Sequence, residues 1–208
     1  LVFPDRTSMA VLDADAIAGL SEDELNEIAG RFYNDTFSMD QNACACPRVV
    51  FWRESSMETG GRAADRFWNA LAQAAKRYGL TENKVSLKYG DFWRFAGGGA
   101  RIGQVRRYGN RLYVTEMKDI AGMTSEQRMR FGSFLEYHMK NGEEWINAVT
   151  EKTQALVFFG VEKQELRESV LHHRLRGTHQ IVPVGQTLWM DLVWDGKDMI
   201  QALSRTIR

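Results

Sequence analysis

The chain has 208 residues, 44% of them hydrophobic and 26% charged, the composition of an ordinary folded protein rather than a disordered one. Lys+Arg and Asp+Glu both number 27, so the net charge is zero, without the basic excess that coats nucleic acid or an anionic membrane. No run of about 18 apolar residues is present to make a transmembrane helix.

The opening Leu1-Val2-Phe3-Pro4-Asp5-Arg6 lacks a basic region followed by an apolar stretch, so it does not read as a signal peptide. It lacks an initial Met and opens in mid-strand, which suggests a piece of a longer polypeptide. Ser8 to Leu12 is short and apolar and reads as a buried strand, ended by Asp13-Ala14-Asp15. Ser21-Glu22-Asp23-Glu24 has the form of a capping box. Beyond it Leu25, Ile28, Phe32 and Thr36 share a helical face, flanked by Ala29, Tyr33 and Phe37. That helix should end near Ser38 and deliver a loop holding the only two cysteines, Cys44 and Cys46. Such spacing makes a poor disulfide framework and suits a reducing cytosol.

Arg48 to Arg53 reads as strand, and Arg62 to Tyr78 as a helix with Ala64, Phe67, Trp68, Leu71, Ala74, Ala75 and Tyr78 inward and Gly79 as a left-handed terminator. The middle third looks less regular. Gly97-Gly98-Gly99-Ala100 is flexible and small, and Tyr108-Gly109-Asn110 is a hairpin turn between two β-like runs. Arg130 to His138 leans towards strand. Gly142 to Thr150 reads as a short helix and Gln154 to Phe159 as a buried strand. Glu162 to Arg176 reads as a helix with Leu166, Val170, Leu171 and Leu175 inward, closed by Gly177. Gln180 to Pro183 returns to the sheet edge. After Val184-Gly185-Gln186 come a strand, Leu188 to Trp194, and a last helix, Lys197 to Thr206. Helices alternating with strands predict an α/β fold, a mainly parallel sheet flanked by helices in one domain.

Cys44-Ala45-Cys46 is the chemical centre of this reading. A thiol on a short loop between a helix end and a core strand is held rigidly yet stays reachable, which is how a nucleophilic cysteine is mounted. The polar Asp40-Gln41-Asn42 before it and Arg48 after it suit a pocket that favours thiolate. The competing reading is a small buried residue that happens to be Cys, and spacing alone leaves both open. Two thiols without a nearby histidine make a weak metal site. Gly97-Gly98-Gly99 with Arg101, Arg106, Arg107 and Arg111 lacks the spacing of a phosphate loop and reads as a solvated hairpin. His172 and His173 sit where a helix C-terminus favours positive charge, and the six tryptophans and eleven phenylalanines read mainly as core.

These residues together resemble the LuxC-type fatty acyl-CoA reductases that supply aldehyde in bacterial bioluminescence, with their relatives in non-luminous bacteria. Three blocks carry the resemblance: Phe32 to Asp35 leading to Asp40 through Arg48; Lys152 to Gly160; and Gly177 to Gln186 with Trp194-Asp195-Gly196 and Leu203-Ser204-Arg205. The resemblance implies an aldehyde-dehydrogenase-like catalytic domain over residues 1–208, with the NADPH-binding domain lying outside this chain. It implies reduction of fatty acyl-CoA, or of an acyl-protein, to aldehyde, with NADPH as cofactor and Cys44 as the acyl-accepting position; Cys46 falls where relatives often have serine. Asn42, Gly185 and Gln186 are expected to contact substrate: Gly185 follows a strand end, where ligands gather in α/β sheets. No glutamate precedes Glu22 to act as the water-activating base of aldehyde dehydrogenases, which suits a reductase that must protect its thioester. A homo-oligomer, an acyl-protein synthetase partner and a cytoplasmic location complete the expectations. A Cys44–Cys46 thiol–disulfide module and a non-catalytic docking domain remain the alternatives.

Overall fold

The first strand, Thr7–Asp13 (β1), is apolar along nearly its whole length because it is buried on both faces, as the centre of a parallel sheet must be. In the computed structural model, which describes residues 5–120, 129–189, 191–194 and 196–205, β1 pairs in parallel with Pro47–Arg53 (β2) on one side and with Thr153–Phe159 (β6) on the other. The seven-stranded sheet runs β3-β4-β5-β2-β1-β6-β7, with Ile102–Tyr108 (β3), Leu112–Met117 (β4), Ser133–His138 (β5) and Gln180–Pro183 (β7). Among the described residues of this sheet, the β3–β4 hairpin is the one antiparallel pair. This is the expected α/β architecture, and among the described residues no helix is long and apolar enough to cross a membrane.

One face of the sheet carries Ala10, Leu12, Val50, Trp52 and Phe134 against Glu22–Thr36 (α2) and Met57–Ala74 (α3). Ser21 and Glu24 form the expected capping box of α2, and the inward Phe32, Phe67, Trp68 and Phe134 meet ring to ring. Glu136 is 2% exposed within this aromatic layer. It accepts from the indole N–H groups of Trp52 (3.0 Å) and Trp68 (2.7 Å) and pairs with Arg106, the satisfaction a buried carboxylate requires. The other face packs Met9, Val11, Phe51, Leu135 and Leu156 under Lys163–His172 (α5) and its neighbours.

Several expectations need correction. A short helix, Ala14–Ala18 (α1), forms because the Asp13 side chain accepts from Ala16 N–H at 2.8 Å. Helix α3 starts five residues before the expected Arg62, capped by Ser56. Gly79 is not left-handed: α3 passes through a 3₁₀ turn at Ala75–Arg77 into an extended Tyr78. The supposedly irregular middle holds a 16-residue helix, Glu82–Gly97 (α4), which Gly97 and Gly98 end. Helix α5 stops at His172, and Arg174, left-handed at φ 52°, closes it in place of the expected Gly177. Arg174 N–H donates to Leu171 and Leu175 N–H to Val170, a Schellman closure, and Leu171 is 65% exposed rather than inward. Of the strand expected over Leu188 to Trp194, only Val193–Trp194 (β8) pairs, with Lys197–Asp198 (β9). The last helix spans Met199–Leu203 (α6) and is capped by Asp198. Asp195 lies outside the described residues, as does the expected helix end at Thr206; Gly196 forms the β8–β9 turn.

Candidate active site

The loop between α2 and β2 is held at both ends by its own polar residues. Asp40 and Gln41 both adopt left-handed backbone conformations (φ 55° and 58°), uncommon for residues other than glycine. Their N–H groups close the 3₁₀ turn at Phe37–Met39 by donating to Phe37 (3.0 Å) and Thr36 (2.8 Å). The conformation is stabilised from outside. Asp40 Oδ1 accepts from Tyr78 OH at 2.6 Å and Lys84 Nζ at 2.7 Å; burial pushes the carboxyl pKa up, but these partners outweigh it and hold the group below its ordinary value. Gln41 is fully buried. Its amide nitrogen donates to the carbonyls of Pro47 (3.3 Å) and Ser133 (2.9 Å), and its amide oxygen accepts from Gly132 and Ser133 N–H groups. One side chain therefore ties the entrances of β2 and β5 to the turn before Cys44.

Beyond that turn the two thiols separate. Cys46 is buried, with Sγ 3.8 Å from the Thr36 carbonyl, and burial pushes its pKa up to about 12. Cys44 is partly exposed. Its carbonyl accepts from Ser8 Oγ at 2.8 Å, while the same oxygen of Ser8 accepts from Ala155 N–H at 3.1 Å. Cys44 is thus anchored by its backbone to β1 and β6, and among the described residues its N–H donates to no protein acceptor. Asn42 is exposed beside it.

Gly185 and Gln186 follow β7, whose Pro183 is level with Phe158 near the carboxyl end of β6. Cys44 precedes β2, whose Pro47 is level with Ser8 near the amino end of β1. The loop and the thiol thus attach to opposite ends of the strands, and the last turn of α2 connects them. Asp35, 1% exposed, accepts from Gly185 N–H (2.6 Å), Thr187 N–H (3.1 Å) and Thr187 Oγ1 (2.9 Å), while the next residue, Thr36, carries the carbonyl under Cys46. Burial raises the Asp35 pKa against the pull of those bonds. Gly185 (φ 98°) lies where a Cβ would approach Arg31 Cβ to 3.0 Å, so both conformation and space favour glycine. Ser8 and Asp35 were not among the expected site residues, and Gln41 was expected only as a polar residue of the pocket, not as a brace between strands. Asp35 left a signal, a carboxylate on an apolar helix face; Ser8 left none, and the bracing role of Gln41 left none, since their partners lie as far as 147 and 92 residues away.

The glycines and arginines weighed as a phosphate cradle do not form one. Gly97 and Gly98 end α4, where a helix presents carbonyls and partial negative charge. Arg106 pairs with Asp65 and Glu136, Arg101 lies 3.5 Å from Asp119, and Arg107 donates to Tyr113 and Asn110. These residues do not fit a dinucleotide such as NADPH.

No family model matches the chain, and no curated protein matches it. Solved structures do. A chain from Anabaena variabilis described as an aldehyde dehydrogenase, PutA, superposes with a TM-score of 0.56 at 16% identity, over 89% of this chain and 42% of that one. Lactaldehyde dehydrogenase from Escherichia coli gives 0.54 at 12% identity, over 91% and 41%. Salicylaldehyde dehydrogenase from Pseudomonas putida G7, complexed with salicylaldehyde, gives 0.54 at 13% identity, over 91% and 40%. The fold is that of the aldehyde dehydrogenases. The chain spans about two-fifths of the length of these structures, and at such identities the likeness establishes the fold alone.

Proposed function

We propose that this chain is the catalytic part of a longer fatty acyl-CoA reductase, with Cys44 as its acyl acceptor. The carrying observation is the contrast between the two thiols: Cys44 is partly exposed on a loop fixed by Ser8 and Gln41, whereas Cys46 is buried and hard to ionise. Thiolate is the nucleophile, so the Cys44 proton leaves first. The sulfur then attacks the acyl carbonyl carbon, the bond to the coenzyme A sulfur breaks, and coenzyme A leaves as a thiolate that takes up a proton. The Cys44 N–H is the donor proposed to meet the oxyanion in between. Asn42 is the proposed substrate contact beside the thiol; the Gly185–Gln186 loop, which attaches at the opposite ends of the strands, is proposed to act on the site only through the last turn of α2, to which Asp35 ties it. An acyl-protein serves the same chemistry as acyl-CoA. NADPH, which the resemblance implies, finds no fit at the glycine–arginine segment, and the step proposed for these residues ends at the acyl-enzyme.

Incubation with a long-chain acyl-CoA followed by peptide mass mapping tests this. The adduct is expected on Cys44, lost in Cys44→Ser and retained in Cys46→Ala. An adduct mainly on Cys46 overturns the assignment. A Cys44–Cys46 disulfide without acylation supports the thiol–disulfide reading instead, and thiols that stay intact and unacylated support the docking reading.

A further inference from the structure

Two left-handed turns face each other at the amino ends of β2 and β5. Asp40 and Gln41 (φ 55° and 58°) lead to Cys44, and Phe131 and Gly132 (φ 58° and 79°) lead to β5. The turns are bonded to each other: Phe131 N–H donates to the Asp40 carbonyl at 3.1 Å, and Gly132 N–H to Gln41 Oε1 at 3.1 Å. Gly132 admits no side chain, since a Cβ there would lie 2.3 Å from the Arg111 carbonyl oxygen and 2.6 Å from the Phe37 ring. The other three carry side chains, for which this conformation is unfavourable, so surrounding contacts must hold it. Helix α4 supplies them with two lysines one turn apart. Lys88 Nζ donates to the carbonyls of Phe131 (2.9 Å) and Gly132 (3.3 Å), while Lys84 Nζ meets Asp40 Oδ1 at 2.7 Å. Lys84 is itself steadied by the Gly79 carbonyl at 3.3 Å and by the Tyr78 ring, whose centroid lies 4.8 Å from Nζ.

We infer that Lys84 is a positioning residue for acyl transfer at Cys44, and that it acts by keeping Asp40 left-handed. This rests on the acyl-transfer reading. Asn42 N–H donates to the Met39 carbonyl (2.8 Å) and Cys46 N–H to that of Ala43 (3.1 Å), so the loop is a run of tight turns. Its far end is fixed to β1 by the bond from Ser8 to the Cys44 carbonyl, and its near end is set by Asp40. A change of φ at Asp40 re-aims the peptides that follow, among them the Cys44 N–H proposed to meet the oxyanion. Addition to a carbonyl needs that donor; ionisation of the thiol does not. Lys84 touches neither thiol nor substrate in this account and works only through Asp40. Tyr78 OH keeps its own bond to Asp40, and Gln41 keeps the turn on the strands, so loss of Lys84 loosens the loop without releasing it.

The rate of Cys44 acylation by palmitoyl-CoA, followed by intact-protein mass spectrometry over a concentration series, tests it. Lys84→Met should lower the limiting rate about fivefold, the left-handed turn being no longer fully held, and leave the half-saturating concentration within about twofold. Alkylation of Cys44 by iodoacetamide, which forms no oxyanion, should keep its pH profile and stay within about twofold in rate. The deciding variant adds Asp40→Gly to Lys84→Met. Glycine takes positive φ about as readily as negative, so the double variant should return to within about twofold of the unaltered limiting rate. A direct effect of the Lys84 charge on the thiol predicts a shifted alkylation profile and no such rescue. Near-UV circular dichroism verifies folding, and Lys84→Gln replaces Lys84→Met if the latter does not fold. Lys84→Met acylated as fast as the unaltered chain, a double variant no faster than the single one, or alkylation that falls in step with acylation overturns this inference and leaves acyl transfer standing. An unaltered chain that takes up no acyl group overturns both.

Discussion

Helices α3 and α4 are nearly equal in length, and each begins at a hydroxyl N-cap, yet they bury opposite chemistry. Helix α3 turns Ala63, Ala64, Phe67, Trp68 and Leu71 inward; α4 turns in Lys88, Asp91 and Phe95. The first docks by removing apolar surface from water, worth about 25 cal/mol per Å². The second depends more on directional bonds, chiefly those from Lys88 Nζ to the carbonyls of Asn110, Arg111, Phe131 and Gly132. Periodicity in sequence reports burial only where burial is apolar. Helix α3 announces itself, and α4 reads as an irregular stretch.

The largest expected effect lies on the apolar side. Trp68→Ala leaves a cavity beneath α3 and takes one donor from the buried Glu136, and should cost about 4–5 kcal/mol in urea unfolding. Trp68→Phe keeps most of the ring volume while still removing the donor, with an expected cost of about 2 kcal/mol. Equal losses from both substitutions would show that the hydrogen bond, rather than the packing, holds α3.

Lys88→Met breaks the polar side. It deprives four carbonyls in two segments of their donor and should cost about 3 kcal/mol near pH 7; a more stable variant would mean that burying the charge outweighs its bonds. The pH dependence sharpens this. Burial, with the Arg107 charge nearby, lowers the Lys88 pKa from 10.5 to about 7. As the pH rises from about 7 towards 10.5, the folded state gives up this proton while the unfolded chain still holds it. The native state therefore gains stability across that window. The stability of the unaltered chain, less that of Lys88→Met, is expected to rise with pH between those limits. A flat difference would show that the amine keeps an ordinary pKa.

The same contrast accounts for how much was legible beforehand. The capping box at Ser21, the central strands and the β3–β4 hairpin follow local rules and stand where those rules put them. Helix terminators did not: Gly79 was expected to turn left-handed and Gly177 to close α5, whereas Arg174 turns left-handed and closes α5, held by its closure bonds and by Leu175 and Val170 packing on the core. At the candidate site, Cys44 stands out through its setting between a helix and a core strand. What fixes its loop does not, because Ser8 and Gln41 act across parallel strands, where neighbours in space are far apart in sequence.

The smallest expected effect separates the two helices by how they fail. Ser56 Oγ accepts from Thr59 N–H at 3.2 Å at the start of α3, and Thr81 Oγ1 from Lys84 N–H at 3.3 Å at the start of α4. Replacing either hydroxyl residue by alanine should cost about 1 kcal/mol. In α3 the buried Gly60, Ala63 and Ala64 follow within two turns, so loosening the first turn disturbs the core, and Ser56→Ala should lower the global urea midpoint. In α4 the first deeply buried side chain is Lys88, seven residues past the cap; before it only the contact of Lys84 with Asp40 ties the helix start to the cysteine loop. Thr81→Ala should therefore fray the helix locally and speed amide exchange at Lys84 and Val85 about fivefold, the equivalent of about 1 kcal/mol, with little change in the midpoint. Equal shifts in midpoint for both variants would show that the polar face of α4 is as firmly integrated as the aromatic face of α3.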